Sequence, residues 1–409
     1  MKSTILFTLF IGLVLIQSCD GYNKPVEQEM TLRSGSWNLD FRREDGLINA
    51  RMNLMGEKVE IINAEETIES KISFFNTDSF EILIPVFGTR LQGKILADSI
   101  MEGFWIPPGR ADSLGLSFRA TFRSENTFQQ TQTSRDTLVY AVSFSKGTRD
   151  EYLGVALFRE QGQMICGTFL TETGDYRFLH GERNDDSLWL SCFDGSHLFL
   201  FNGYYHGTDS ISGTFKSGKN WKEPWAAKLN KKARLSHPDS LTLFTDNPDS
   251  PLEFQAITKE GKPVKFGKDN WEDHVTIVQI YGSWCPNCMD ESRYYAELHQ
   301  KFAERGVQII PVAFERYPEL KDKVTALNKF EDATGLTVES YIGGNANKGE
   351  ASLVFNQLSK VISFPTSIII DKKGRVRKVH TGFYGPGTGK YYDRYTGAMD
   401  SFIEALINE

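Results

Sequence analysis

Positive charge is in short supply in this chain. Lys and Arg number 46 against 53 Asp and Glu, giving a formal net charge of −7, and the basic residues are scattered. That pattern excludes a groove for nucleic acid and an electrostatic hold on an anionic membrane surface. Long apolar runs are missing as well. The run from Thr4 to Ile16 is about a dozen residues, short of the ~20 a membrane-spanning helix needs. Cysteine is scarce, with five in 409 residues, so each one must be accounted for. Histidine offers two neighbours, His197 and His206, without a third His or a carboxylate at ligand spacing, and no metal site is expected. What is abundant is apolar bulk. With 29 Phe, 15 Tyr and 40% hydrophobic residues, the chain has enough to build two or three globular domains.

The stretch with the clearest chemistry is Ser283-Trp284-Cys285-Pro286-Asn287-Cys288. It follows an apolar run, Val275 to Tyr281, and precedes a helical pattern. A strand that delivers Cys285 to the first turn of a helix sets its sulfur over unpaired N–H groups, whose partial positive charge favours a thiolate. Pro286 suits that first turn, where a missing N–H costs nothing. Cys288, one turn on, is placed to attack a mixed disulfide formed on Cys285. The pair reads as an electron-exchanging dithiol.

At the other end, Met1-Lys2 and the apolar run read as a targeting signal over residues 1–18. Leu15-Ile16-Gln17-Ser18-Cys19 resembles the bacterial lipobox, which implies a lipid on Cys19 and a polar tether over 19–29. Gln17 departs slightly from the commonest form, and an ordinary cleaved signal is the alternative. Either way the protein is expected outside the cytoplasm, in the cell envelope or periplasm. In an oxidising compartment Cys166 and Cys192, both in strand-like runs, could bridge neighbouring strands or remain buried thiols.

Residues 30–235 carry β signals almost throughout. Asp-Ser pairs at Asp98, Asp112, Asp186 and Asp209 precede alternating apolar runs, as turns precede strands. The expectation is an all-β domain, an antiparallel meander closing into a sandwich or barrel. His197, His206, Trp221 and Trp225 read as surface and packing residues. Pro, Asp, Ser and Asn gather over 236–251, a linker. From 252 to 409, strand and helix patterns alternate: Val275–Tyr281, Pro286–Arg305, Val307–Phe314, Pro318–Thr334, Glu350–Leu358, a hairpin of Thr366–Ile370 with Arg375–Thr381, and Tyr392–Ile407. This is an α/β plan with a central mixed sheet.

Strand, Trp-Cys-x-x-Cys, helix and a later Phe364-Pro365-Thr366 together resemble the thioredoxin fold, and more narrowly its TlpA/ResA-like extracytoplasmic thiol–disulfide oxidoreductases, over 252–409. The resemblance implies that Cys285 attacks and Cys288 resolves. It makes Pro365 the proline after a cis peptide, beside which Phe364 would meet an extended substrate strand, and Trp284 the flat apolar lid by the sulfurs. Glu291 matches a glutamate of the ResA-like subset, a proton carrier for Cys288; otherwise it is a solvated acid on a helix face. The segment Lys329 to Lys360 has room for that branch's insert. Departures are also present. Gln279 stands where thioredoxin has a buried aspartate, shifting proton transfer toward Glu291 or water; Ser292 replaces a frequent proline; Phe364 is bulkier than usual and crowds the groove. The loop Gly382-Phe383-Tyr384-Gly385-Pro386 reads as structural.

No cofactor is implied. The expected partners are disulfides of exported proteins, a membrane thiol electron donor, and the membrane itself through Cys19. Pro286-Asn287 lacks the histidine of strongly oxidising relatives, so reduction is the expected direction, with an oxidase or isomerase as alternative. A further alternative makes the β-rich half a partner- or ligand-binding module. A peroxidase is disfavoured, because no threonine and proline stand upstream of Cys285 in the required pattern.

Overall fold

The computed structural model describes residues 31–107, 115–123, 137–247 and 249–409. The lipobox-like run with Cys19, and the turn at Asp112, lie outside the described residues.

Strands β1 (Gly35–Arg43), β2 (Gly46–Met55), β3 (Lys58–Asn63), β4 (Glu66–Phe74), β5 (Ser79–Ile84), β6 (Thr89–Ala97), β7 (Ile100–Ile106) and β8 (Leu116–Phe122) pair consecutively and close as a barrel. The closing register is antiparallel, Trp37 opposite Phe122 through Phe41 opposite Phe118. Alternation explains it: Trp37, Leu39 and Phe41 on β1, and Ile48, Ala50, Met52 and Leu54 on β2, all face the core. Gly93 and Gly103 face each other across β6 and β7, where a Cβ on Gly103 would lie 2.2 Å from the Gln92 carbonyl oxygen. Glycine at both positions is what lets these strands approach.

A second antiparallel sheet follows, from β9 (Leu138–Phe144) and β10 (Tyr152–Gln161) through β11 (Met164–Thr171), β12 (Gly174–Asp175), β13 (Leu179–Asn184), β14 (Ser187–Phe193), β15 (Leu198–His206) and β16 (Ser210–Ser217) to β17 (Trp221–Leu229). β9 pairs with both β10 and β17, and β10 pairs with β11, so the pairing returns on itself. Phe144, Phe158, Phe169, Phe201, Phe215 and Trp225 fill its core. The N-terminal half is therefore all-β and barrel-like, as expected, but its strands divide between two sheets rather than one meander. Turns carry that division, and their chemistry does not reveal which strands pair over long range. The sheets are joined by Asn63, whose amide donates to the Phe193 carbonyl and accepts from the Phe193 N–H, both at 3.0 Å. Cys166 and Cys192 are free and buried. β13 separates their strands, with His180 opposite both Cys166 and Ser191, so they do not bridge.

The C-terminal part has the thioredoxin-like layout. Its sheet runs β19 (Pro263–Phe266), β18 (Phe254–Ile257), β22 (Tyr341–Asn345), β21 (Val307–Glu315), β20 (Val275–Tyr281), β23 (Thr366–Ile370), β24 (Val376–Thr381). β20 is parallel to β21 and antiparallel to β23, and all of its residues are buried. A strand covered on both faces reads as a near-continuous apolar run, interrupted here by Thr276 and Gln279, which is why it is legible. Helices α1 (Lys268–Trp271), α2 (Pro286–Phe302), α3 (Leu320–Thr334), α4 (Lys348–Val354) and α5 (Lys390–Asn408) complete it. Among the described residues, no helix is long and apolar enough to cross a membrane. β18, β19 and β22 are not among the strands expected from the sequence. β22 holds Gly343 and Gly344, poor strand formers; a Cβ on Gly343 would come within 2.5 Å of the Phe314 ring.

Candidate functional site

β20 ends at Tyr281, and the Gly282-Ser283-Trp284 turn carries the chain to Cys285, the N-cap of α2. The turn is pinned by Glu315, whose buried carboxylate accepts the Ser283 N–H at 2.8 Å and its hydroxyl at 2.7 Å. Burial pushes that carboxyl above its ordinary range despite the two bonds. Glu315 escaped the sequence reading, since only the fold brings the end of β21 beside the motif. Trp284 donates its indole N–H to the Phe314 carbonyl at 2.9 Å, meets Phe364 edge-on with ring centroids 5.7 Å apart, and lies under the Arg316 guanidinium.

Pro286 occupies the first turn, and the Cys288 N–H donates to the Cys285 sulfur at 3.3 Å. The Cys285 thiol faces the Phe364 carbonyl oxygen at 3.5 Å, and the Phe364–Pro365 peptide is cis. The Ser363 hydroxyl lies 3.2 Å from that same carbonyl oxygen. Cys288 is fully buried, and burial pushes its thiol well up, reinforced by the Cys285 sulfur.

Glu291 is not a solvated helix-face acid. It is fully buried between α2 and the sheet, and burial pushes its carboxyl up to about 8. Its oxygens accept from Gln279 Nε2 at 2.8 Å, Ser367 Oγ at 3.1 Å and the Tyr295 hydroxyl at 3.4 Å. Gln279, which replaces the aspartate of thioredoxin, holds Glu291 with its amide nitrogen and accepts Ser292 Oγ with its oxygen at 3.0 Å. α2 runs unbroken through Ser292.

The Redoxin family model matches residues 239–393. That stretch is a Redoxin domain. Thiol-disulfide oxidoreductase ResA of Halalkalibacterium halodurans is 30% identical over 106 residues, 26% of this chain and 53% of that protein. ResA of Bacillus anthracis is 28% identical over 123 residues, 30% of this chain and 62% of that protein. The chain thus spans about half the length of the first of these relatives. Among solved structures, a thioredoxin-family thiol:disulfide interchange protein of Chlorobium tepidum matches at 21% identity and TM-score 0.30, covering 40% of this chain and 98% of that one. A DsbF homologue of Corynebacterium diphtheriae matches at 18% identity and TM-score 0.30, over 41% and 98%.

The Redoxin domain is only partly open to solvent on the side of its dithiol. The second β-sheet covers it. Ser196 Oγ donates to the Trp284 carbonyl at 3.0 Å, Ser363 Oγ to the Thr173 carbonyl at 2.9 Å, and Asn287 Nδ2 to the Asp175 carbonyl at 3.3 Å. Asp175 accepts the Gly385 N–H at 2.6 Å, and the Tyr384 hydroxyl donates to the Thr171 carbonyl at 3.0 Å. The 382–386 loop is therefore structural in a definite sense: it docks the Redoxin domain on β11 and β12. Arg177, buried in the loop between β12 and β13, pairs with Asp290 of α2 and with Glu66 of β4. What remains open beside Cys285 is a cavity of about 270 Å3, whose lining includes Thr173, Arg177, His197, Lys348 and Phe364. The sequence pattern makes His197 a surface or packing residue. It does pack, stacked on Phe199 with centroids 4.9 Å apart and held by Asp194, but it does so in the wall of the dithiol cavity. His206 is exposed and bonded to Ser212.

Proposed function

We propose that the protein is a thiol–disulfide oxidoreductase that reduces disulfides of exported proteins, held in the cell envelope by lipid on Cys19. The Cys285 thiolate attacks one sulfur of the substrate disulfide, and the other sulfur leaves as a thiolate. The Cys288 thiolate then attacks Cys285 Sγ, the second substrate thiolate departs, and two electrons have passed to the substrate. Glu291 takes the Cys288 proton, and Trp284, Phe364 and Pro365 shape the surface that the substrate meets. A membrane thiol donor returns the pair to the dithiol state. The observation that carries this reading is the position of Cys285 at the α2 N-cap, its sulfur between the Cys288 N–H and the Phe364 carbonyl.

The test is trapping with Cys288→Ser in the native compartment, with Cys285→Ser as control. Adducts specific to the trap support the reading, and none beyond the control sinks it. Equilibration with glutathione decides direction: a potential as high as about −120 mV belongs to a strong oxidant and would rule out a reductase.

A second reading gives the β-rich half the selective role. It is favoured by the cavity that Thr173, Arg177 and His197 share with Cys285. On this reading His197→Ala in the Cys288→Ser background changes which proteins are trapped; an unchanged set speaks against it.

A further inference from the structure

A proton accepted by Glu291 has no direct way to water, because the residue is fully buried. Its contacts are few. Cys288 lies one helical turn before it, and Gln279, Ser367 and Tyr295 bond its carboxyl. The Gln279 oxygen is occupied by Ser292. Tyr295, by contrast, leads onward: its hydroxyl meets the Tyr395 hydroxyl of α5 at 3.3 Å. Tyr395 in turn lines a cavity of about 340 Å3 that neither Cys285 nor Cys288 lines. There its ring lies 4.5 Å from the His380 ring, centroid to centroid, and His380 Nδ1 is 2.6 Å from Asp239 Oδ1. His380 is also the cross-strand partner of Ser367, so the cavity end of the chain and the Glu291 end sit on one pair of strands.

We propose that Tyr295 and Tyr395 are a proton relay carrying the Cys288 proton from Glu291 to the His380–Asp239 cavity. This rests on the oxidoreductase reading and adds to it a route that the dithiol face does not supply. The step balances. The Cys288 thiol gives its proton to the Glu291 carboxylate and attacks Cys285 Sγ; the Cys285–Cys288 bond forms, and the bond to the substrate sulfur breaks with its electron pair. That carboxylate is made when Glu291 passes its own proton to the Tyr295 oxygen as Tyr295 passes its own to Tyr395 and Tyr395 passes its own to the cavity, so Glu291 ends the step protonated, as it began. No net charge is left in the core, where an unpaired charge is costly. The groups that face this path are Tyr294 and Phe383 against Tyr395, Asp400 accepting from Tyr294, and Lys378 and His237 beside Asp239. Asp239 belongs to the segment that reads as a linker in the sequence, which gives that segment a chemical task. A purely structural role, two buried hydroxyls satisfying each other, would leave the rate of resolution untouched.

The experiment uses the full chain, pre-reduced and mixed with an aromatic disulfide whose thiolate absorbs light. Attack by Cys285 releases one coloured thiolate and resolution by Cys288 a second, so the two phases are read apart. Tyr395→Phe is expected to slow the second phase about tenfold, less than the roughly 10²–10⁴ of a residue that exchanges the proton with the reacting group itself, and to leave the first phase unchanged. Tyr295→Phe, which cuts the chain one hydroxyl earlier with its ring retained, must do the same. Neither change should slow Glu291→Gln further. A wild-type second phase in either tyrosine variant overturns the relay while leaving the oxidoreductase reading intact. Absence of the first phase in the unmodified chain overturns that reading itself.

Discussion

The guanidinium of Arg177 is ion-paired with the carboxylate of Asp290, and both are buried. One partner hangs from a loop of the second β-sheet and the other sits two residues beyond Cys288. Arg177 also reaches Glu66 of the first barrel at 2.5 Å, so a single side chain ties three parts of the protein together beside the dithiol. It does so from a backbone φ of 61°, a left-handed conformation that a non-glycine residue keeps only when its surroundings over-determine it.

Removing that guanidinium should therefore be expensive. Arg177→Met leaves the Asp290 and Glu66 carboxylates with only the half-exposed Arg293, 3.6 Å from Asp290, as counter-charge, and breaking a buried pair in this way costs roughly 3–5 kcal/mol. Urea unfolding followed by tryptophan fluorescence reads the loss. Arg177→Met combined with Asp290→Leu should recover part of it, because the stranded charge is the main cost.

Glu291 sets a pH dependence of known sign. Its folded carboxyl is raised to about 8 from an ordinary value of about 4.3, so the native state binds its proton more tightly than the unfolded chain. This contribution to stability is complete below the ordinary value and is lost as pH rises through the folded one. The chain should lose stability, on the order of a few kcal/mol, between about pH 4.5 and pH 8. Glu291→Gln should flatten that decline. A urea midpoint that falls equally in both proteins would argue against it.

The two cysteines should differ in reach. Cys285 retains 7% exposure at the mouth of the cavity, and Cys288 has none. Iodoacetamide should label Cys288→Ser at Cys285, and label Cys285→Ser at Cys288 at least about tenfold more slowly, since reactivity follows access and thiolate character. Mass spectrometry of timed samples gives both rates.

Ser283→Ala should loosen the turn that carries the motif. It removes one of the two bonds holding the buried Glu315 carboxylate. A buried acceptor deprived of its donor costs about 1–3 kcal/mol, which thermal unfolding of the two proteins would measure.

Two glycines give a contrast within the scaffold. Gly397 lies in α5 with open space where a Cβ would go, so Gly397→Ala should stabilise by about 0.5–1 kcal/mol through helix propensity alone. Gly103→Ala instead drives a Cβ to 2.2 Å from a carbonyl oxygen and should lower the melting temperature.

Local pattern accounts for what could be read in advance. A mostly apolar run marked β20 because both of its faces are buried, and Cys-Pro-Asn-Cys at the head of a helical pattern marked the dithiol because capping and thiol chemistry are short-range. Period-two alternation likewise marked the N-terminal half as all-β. The sequence by itself determined these elements and the chemistry of Cys285 and Cys288. Only the tertiary structure decided what stands around them. The burial of Glu291 depends on β20 and β23 closing over α2, the pinning of Ser283 depends on the end of β21, and the wall of Thr173, Arg177 and His197 depends on a second sheet more than 80 residues earlier in the chain. Such contacts are fixed by long-range pairing and packing, which leave no trace in the spacing of neighbouring residues.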